Sequence, residues 1–338
     1  MTIGNSCRAF IEYHPVIGYL YIPNLNVRIL HENGGYFIKT NSMGFRSDFD
    51  FPTEKKEGVV RIIVFGDSFT AGDGVKNLDR YTDLLCRSFD NVEIFNFGLT
   101  SSGTDQQYLI YKEFASKMNA DVVIIAPMVE NIRRNVIDSM PAITHDGVRF
   151  IRPKPFFKIR DSDLILQNNP VPRVDMIAKT KRNKIKYMLT FILLNKFRYV
   201  NKKYQIKNKI ARLFGLKKEL FQEYQSSDNS AWKLMKGILL KWIDELKVPV
   251  IIVPIPWYLH YEESSIYSAE NYLQRFKELE INNTIKVCDP LQFFNAFKYD
   301  QKKEFTFLHD KHLTQKGHAV LADSILPILT QILKDFKK

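Results

Sequence analysis

The sequence predicts an α/β fold, in which a parallel sheet is covered by helices on both faces. Two observations lead to this prediction. Short apolar runs rich in β-branched residues alternate along the chain with segments whose apolar residues recur at helical spacing. The apolar runs are nearly continuous, as expected for strands that are buried on both faces of a parallel sheet.

The predicted strands and helices follow one another in a repeating order. The strands are residues 61–65, 91–97, 121–126, 248–255 and 285–287. The helices are residues 79–89, 104–118, 230–246, 268–279 and 315–336. Ligands of such sheets bind beyond the carboxyl ends of the strands, so we expect the functional residues there.

Two regions do not follow this alternation. Residues 1–57 are predicted to form an irregular or β-like N-terminal extension, with turns at 33–35 and 43–44. Residues 138–228 are predicted to be an insertion between the third and fourth strands, β-rich at first and then helical. We predict a single domain over residues 58–338 that carries both elaborations, without an internal repeat.

Composition excludes several classes of protein. The chain has 338 residues, of which 45% are hydrophobic and 25% are charged, so it is neither disordered nor a repeat of collagen type. Its three cysteines are widely spaced and form no zinc pattern, which favours reduced thiols. The N-terminal residues show no secretion signal, and no apolar run approaches the roughly 20 residues of a membrane span. These features predict a soluble, cytoplasmic protein.

The net charge of +12 is concentrated in one stretch. Residues 176–218 contain fourteen Lys and Arg and no acidic residue, with apolar residues interleaved as in amphipathic helices. One interpretation is a helical insertion that packs on the domain and exposes its lysines. The other is a surface for an anionic partner, either a membrane to which the protein binds peripherally or an acidic glycan. Nucleic acid is disfavoured, because no nucleic-acid-binding motif accompanies the charge.

The strongest local motif is VFGDSFTAGDGV at residues 64–75. The turn directly after a buried strand presents Ser68 at the carboxyl edge of the sheet, where a histidine could activate it as a nucleophile. The alternative is an ordinary strand-to-helix turn with a capping serine.

Two further strand ends supply candidate hydrogen-bond donors. Gly98 follows the second strand, and its N–H could point at a developing oxyanion. Asn131 follows the third strand and could add a side-chain amide, with Asn135 as a weaker substitute. A tight turn and a helix cap are the respective structural alternatives.

The motif LHDKHLTQKGH at residues 308–318 supplies a candidate base. His312 could accept a proton from a serine, and Asp310 could orient its imidazole. His309 and His318 compete for the role of base, and His318 is expected to be structural within the last helix. Three histidines near an aspartate could also suggest a metal, but no metal-binding motif supports that reading.

Taken together, Gly66-Asp67-Ser68, Gly98, Asn131 and Asp310 with His312 resemble the four motif blocks of the SGNH (GDSL-like) hydrolase family. The resemblance covers residues from about 60 to 135 and from about 248 to 335. The segment NSMGFR at 41–46 is similar to the lead-in of bacterial members associated with surface-polysaccharide genes. The third block departs from the family's Gly-x-Asn-Asp, since Val129 replaces the glycine and Ile132 follows Asn131. The last block has one residue, rather than the commoner two, between its aspartate and its histidine.

The resemblance implies a flavodoxin-like three-layer α/β/α fold and a serine esterase without metal or organic cofactor. In this reading Ser68, His312 and Asp310 form a catalytic triad, and Ser68, Gly98 and Asn131 form an oxyanion hole. The expected substrate is an O-acyl, for example acetyl, ester of a carbohydrate or a related metabolite. The alternatives are a sugar O-acyltransferase with the same site and a non-catalytic polysaccharide- or membrane-binding protein. Four residues near the motifs are expected to line the pocket: Tyr81, Gln106, Arg133 and Arg134.

Overall fold

The computed structural model of the chain describes residues 2–4, 10–143, 149–173 and 217–337. Its strands are β1 (Thr2–Gly4), β2 (Ile11–His14), β3 (Gly18–Tyr21), β4 (Asn26–Leu30), β5 (Tyr36–Lys39), β6 (Val60–Gly66), β7 (Val92–Asn96), β8 (Val122–Ala126), β9 (Ser139–Ile143), β10 (Arg149–Pro153), β11 (Phe156–Arg160), β12 (Asp163–Gln167), β13 (Lys218–Glu219), β14 (Val250–Ile252), β15 (Tyr267–Ser268) and β16 (Ile285–Val287). Its helices are α1 (Ser68–Ala71), α2 (Tyr81–Arg87), α3 (Thr104–Ile110), α4 (Asn131–Arg134), α5 (Ser230–Glu245), α6 (Leu259–Glu262), α7 (Glu270–Lys277), α8 (Pro290–Asn295), α9 (Tyr299–Lys302) and α10 (Gln315–Leu333).

A five-stranded sheet in the order β16-β14-β8-β6-β7 forms the centre of the molecule. All neighbouring strands in it are parallel. Numbered along the chain, the order is 2-1-3-4-5, which is the doubly wound, flavodoxin-like arrangement. The predicted α/β class and parallel sheet are confirmed.

The strand order also determines where the helices lie. Connections between parallel strands are right-handed, so a change in the direction of travel across the sheet moves the helix to the other face. The chain turns back after β7, which places α2 on one face and α3 and α5 on the other. In agreement, α10 contacts α2 and α8, whereas α3 contacts α5. This arrangement gives the three predicted layers.

The two central strands are buried almost completely because they lie between the helical layers. All five residues of β8 are buried, as are six of the seven in β6. Phe65 on β6 meets the indole of Trp242 on α5 edge-on, with ring centroids 4.9 Å apart. Gly66 pairs with Ala126 in the ladder, so β6 and β8 end at the same level of the sheet. The segments that follow these two strands therefore begin side by side.

The N-terminal extension packs into the same core. β1, β4 and β5 form one small sheet, and β2 and β3 form a hairpin. Arg46 is fully buried and donates to the carbonyl oxygens of Gly72 at 2.6 Å and Val75 at 2.7 Å. The extension thereby holds the loop that follows α1.

The described part of the insertion begins with the predicted β structure, as the hairpins β9–β10 and β11–β12. The basic stretch 176–218 lies outside the described residues except for Lys217 and Lys218. The predicted helix 104–118 is shorter than expected, because α3 passes into a π-helical turn at Tyr111–Ala115. Among the described helices, none has the length and apolar character needed to cross a bilayer.

Candidate active site

Ser68 begins α1 directly after the central strand β6. Asp67 caps this helix, since its side chain accepts a hydrogen bond of 3.0 Å from the N–H of Phe69. Gly66 leaves no room for a Cβ, which would collide with the side chain of Thr70 and the carbonyl of Ala126. This close fit presents Ser68, 4% exposed, at the carboxyl edge of the sheet.

A chain of hydrogen bonds runs from Ser68 to Asp310. Nε2 of His312 lies 2.8 Å from Oγ of Ser68, and its Nδ1 lies 2.8 Å from Oδ2 of Asp310. The carboxylate can only accept, so Nδ1 carries the proton and Nε2 is free to accept from the serine hydroxyl. The arrangement can move a proton from Ser68 to His312.

Lys311 allows the aspartate and the histidine to meet across a single residue. Its φ of 65° lies in the left-handed region, which costs an ordinary L-residue about 1 kcal/mol or more. The shorter spacing noted in the sequence is thus accommodated by backbone strain at the site.

The electrostatic environment suits a base beside a carboxylate. Burial would lower the pKa of His312, but the hydrogen bond and charge of Asp310, together with Asp73 and Asp67, raise it above the usual value. Burial would raise the pKa of Asp310, yet its bonds to His31 and His312 hold it well below the usual range. Asp310 is therefore ionised near neutral pH.

His31 is a part of the site that the sequence did not indicate. Its Nε2 lies 3.0 Å from Oδ2 of Asp310, the same oxygen that His312 contacts. It comes from the N-terminal extension, 279 positions before Asp310. The only nearby sequence signal is the turn at 33–35, and nothing in that signal connects it with the C-terminal motif.

Asn131 is fully buried and held from two sides. Its Nδ2 donates to Oδ2 of Asp67 at 2.8 Å, and its Oδ1 accepts from Nε2 of Gln107 at 2.9 Å. An amide nitrogen has two hydrogens, so one of them is not used by these bonds. The amide therefore lies next to Asp67, the residue that precedes Ser68.

Gly98 does not offer the free donor that the sequence predicts. Its N–H donates to Oδ1 of Asn96 at 2.8 Å, within its own turn. A Cβ at this position would collide with the backbone of Thr70 and Ala71. Close packing against α1 therefore accounts for the glycine. The N–H of Ser68, at the first position of α1, has no partner within its helix.

Asp67 lies at the centre of a buried polar network. Its Oδ2 accepts from the Asn131 amide and also, at 3.0 Å, from Nη1 of Arg134. Nη2 of Arg134 donates to Oε2 of Glu130 at 3.0 Å. Burial would lower the pKa of Arg134, but the charges of Asp67 and Glu130 raise it. The guanidinium is a permanent cation beside Asp67.

The remaining predicted pocket residues point elsewhere. Tyr81 and Gln106 are fully buried, bonding to Thr70 at 3.0 Å and to the carbonyl of Ile17 at 2.8 Å respectively. Arg133 pairs with Glu223 at 2.5 Å. Of the four candidates, Arg134 alone reaches a residue adjacent to Ser68.

The other candidate residues have identifiable positions as well. Asn135 accepts a hydrogen bond from the N–H of Asp105 at 3.3 Å. His309 is exposed. His318 is buried in α10, where burial lowers its pKa to about 3, and it accepts from the N–H of Tyr81 at 3.3 Å. It is a neutral, structural histidine, as the sequence predicts.

Aromatic side chains form one wall beside His312. The ring of Phe69 lies 5.0 Å from the imidazole, and the half-buried indole of Trp257 lies 6.3 Å from Phe69. Tyr258 follows at 5.2 Å from Trp257 and carries the ammonium of Lys311 over its ring. Within the described residues, no group of three or more His, Cys, Asp or Glu side chains has an arrangement that could hold a metal ion.

No family model and no curated protein matches the chain. Solved structures resemble it at low identity. A member of the lipolytic protein G-D-S-L family from Veillonella parvula is 16% identical, with a TM-score of 0.41, over 80% of this chain and 99% of that one. A lipase from a goat rumen metagenome is 14% identical, with a TM-score of 0.43, over 79% and 96%. A lipase/acylhydrolase from Enterococcus faecalis is 14% identical, with a TM-score of 0.42, over 81% and 96%. At these values the fold assignment depends on the chain's own strand order.

Proposed function

We propose that this protein is a serine esterase of the SGNH type that hydrolyses O-acyl esters through an acyl-enzyme. The observation that carries the proposal is the hydrogen-bond chain Ser68–His312–Asp310 at the carboxyl edge of the sheet. A nucleophile, a base and an ionised orienting group in this order are the requirements for covalent acyl transfer.

In the first half of the reaction, Oγ of Ser68 attacks the ester carbonyl while Nε2 of His312 takes its proton. The N–H of Ser68 and the second N–H of the Asn131 amide stabilise the tetrahedral anion. The Gly98 N–H would join them only by leaving Asn96. The ester C–O bond then breaks, and His312 returns the proton to the departing alcohol.

In the second half, His312 takes a proton from water as the water oxygen attacks the acyl-serine. The tetrahedral intermediate collapses, the acid leaves, and Oγ of Ser68 regains its proton from His312. A sugar hydroxyl in place of water would give the alternative activity, an O-acyltransferase. Products formed with and without added carbohydrate acceptors separate these two outcomes.

Carbohydrate esters are the substrate class that the aromatic wall favours. Trp257 and Tyr258 are half-buried, and Trp257 is connected to the proposed base through the ring of Phe69. Such rings combine a flat apolar face with a polar edge. The C–H-bearing face of a sugar ring fits that surface.

We expect Trp257→Ala to raise KM for an acetylated sugar severalfold more than KM for nitrophenyl acetate. Equal changes in the two KM values would argue against a carbohydrate substrate.

The anionic partner of the basic stretch 176–218 is a separate proposal that depends on its charge alone. Co-sedimentation with anionic and neutral vesicles, and retention on an acidic glycan, distinguish the two partner types. Absence of both at low salt would leave the solvated helical insertion as the better interpretation.

Labelling with a fluorophosphonate tests the esterase directly. The probe should modify the wild-type protein at Ser68, and Ser68→Ala should abolish labelling and turnover of nitrophenyl acetate. Ser88→Ala is the matched control, because Ser88 is an exposed serine at the end of α2. An unlabelled wild-type protein would favour the non-catalytic alternative.

A further inference from the structure

His31 occupies an enclosed position behind the proposed catalytic aspartate. Its side chain is 1% exposed. Its ring meets Tyr36 edge-on at 5.7 Å and Phe307 at 4.5 Å, with the planes nearly perpendicular in both cases. Aromatic packing therefore fixes the orientation of the imidazole, and both ring nitrogens face defined partners.

The partner of Nδ1 is an oxygen whose identity the surrounding bonds establish. Asn33 lies with Oδ1 3.0 Å from Nδ1 of His31. That oxygen also accepts from the N–H of Gly35 at 3.1 Å, while Nδ2 of Asn33 donates to the carbonyl of Gly74 at 3.0 Å. An inverted amide would lose both bonds, so Oδ1 is the atom that faces the imidazole.

The hydrogen-bond partners of His31 specify its charge. Nδ1 faces the amide oxygen of Asn33, and Nε2 faces the carboxylate of Asp310. Neither oxygen can donate when Asp310 is ionised, so both nitrogens must carry hydrogens. An imidazole with two N–H groups is a cation. Asp310 thus lies between the charged His31 and His312, the candidate base.

We infer that His31 is a cationic positioning residue, which holds Asp310 ionised and oriented for His312 and moderates the basicity of His312. The inference rests on the proposed function, since it concerns the same reaction. His31 touches no reacting atom and acts through Asp310. Its positive charge offsets part of the carboxylate's charge, and a carboxylate left without it would stabilise the imidazolium form of His312 more strongly.

The charged groups around the pair are consistent with this role. Burial would lower the pKa of His31, but its bonds to Asp310 and Asn33 and the charges of Asp310 and Glu32 raise it. Glu32 also accepts from the N–H groups of His309 and Asp310, at 2.8 to 3.1 Å. The loop between β4 and β5 therefore holds the backbone of Asp310 as well as its side chain. His312 is faced in addition by the charges of Asp73 and Asp67.

The charge of His31 is tested by a measurement that does not depend on enzymatic activity. In protein labelled with ¹⁵N-histidine, the His31 signals, assigned by their loss in His31→Gln, should show both ring nitrogens protonated at pH 7. A neutral His31 at pH 7 would overturn the inference whether or not the protein is an esterase.

The influence on His312 is tested by pH profiles of nitrophenyl acetate hydrolysis. In His31→Gln, which retains a neutral donor, the acid limb of kcat/KM should move up by roughly half a unit to one unit. In His31→Phe, which preserves the aromatic packing without a donor, kcat should fall about tenfold or more with little change in KM. Loss of packing alone would not move the acid limb.

His309→Gln is the matched control, because His309 is an exposed histidine next to Asp310. Its profile should equal that of the wild type. The thermal unfolding of each variant is measured to establish that it is folded. If His31→Phe does not fold, the pH profile of His31→Gln alone tests the inference. An unchanged acid limb in folded His31→Gln would refute the inference, whereas activity that survives Ser68→Ala would refute the proposed function instead.

Discussion

Two aspartates flank the candidate nucleophile, and the protein surrounds them with different partners. Asp310 is 24% exposed at its side chain and is held by the imidazoles of His312 and His31. Asp67 is fully buried and is held by the guanidinium of Arg134 and the amide of Asn131. Histidine gains and loses a proton near neutral pH, whereas neither a guanidinium nor an amide does.

The difference separates two functions within one site. The side of Asp310 can transfer a proton, because the imidazole of His312 lies within hydrogen-bond distance of the Ser68 hydroxyl. The side of Asp67 keeps a fixed charge distribution and so holds the backbone before Ser68, and the Asn131 amide, in one position. A preorganised donor and a movable proton are both needed for acyl transfer.

The largest effect is expected from removing the carboxylate of Asp310. Asp310→Asn should lower kcat for nitrophenyl acetate by about 10⁴-fold, because an amide no longer fixes the His312 tautomer. Steady-state kinetics with an unchanged melting temperature would assign the loss to chemistry. Retention of more than about a tenth of the activity would show that Asp310 does not orient the base.

Removal of the Asn131 amide, which is bonded to Asp67, is expected to have the next largest effect. Asn131→Ala should lower kcat by about 10²- to 10³-fold, because one oxyanion donor is lost. Asn135→Ala is the control, since Asn135 bonds to the backbone of Asp105 and not to Asp67. Equal losses in the two variants would mean that the effect reflects packing rather than transition-state stabilisation.

Asp67→Asn tests how much the charge of Asp67 contributes to the stability of the folded protein. The change leaves the cation of Arg134 with Glu130 alone as its anionic partner, and we expect the free energy of unfolding to fall by about 2–3 kcal/mol. Denaturant unfolding measures this. Asp48→Asn, which affects the exposed ion pair between Asp48 and Lys39, should cost less than about 1 kcal/mol. Similar losses in both would remove the contrast between the two aspartates.

A smaller effect concerns pH and the buried His318. Its pKa is lowered to about 3 in the folded protein, whereas in the unfolded chain it is about 6.5. As pH falls below 6.5, the unfolded chain binds a proton that the folded protein does not. Between these two pKa values, each unit by which the pH falls should therefore lower the free energy of unfolding by up to about 1.4 kcal/mol.

Urea unfolding at pH 7, 6 and 5 measures this loss. The slope between pH 6 and 5 should be shallower in His318→Gln than in the wild type, and unchanged in the exposed control His309→Gln. A wild-type slope in His318→Gln would show that His318 is not held neutral.

The candidate catalytic residues were predictable from sequence because local signals surround them. Ser68 follows a buried strand, and Asp310 and His312 precede a helix with a clear N-cap at Thr314. The parallel sheet then requires these strand ends to lie at one edge. The alternation of strands and helices likewise predicted the layers.

The parts that sequence did not predict depend on long-range contacts or on side-chain direction. His31 reaches Asp310 from an irregular segment, where no periodicity indicates its neighbours. Tyr81 and Gln106 lie close to the motifs in sequence, but their helices turn them into the core. The Gly98 N–H donates to Oδ1 of Asn96, two residues away, and the geometry of this turn is not encoded in the sequence spacing.

The most direct test of the account is to trap the acyl-enzyme. Wild-type protein quenched in acid during turnover of nitrophenyl acetate should carry one acetyl group on the peptide that contains Ser68, identified by mass spectrometry. His312→Ala should accumulate far less of it in the same time. An acetyl group on another residue, or rapid turnover without acetylated Ser68, would contradict the proposed role of this hydroxyl.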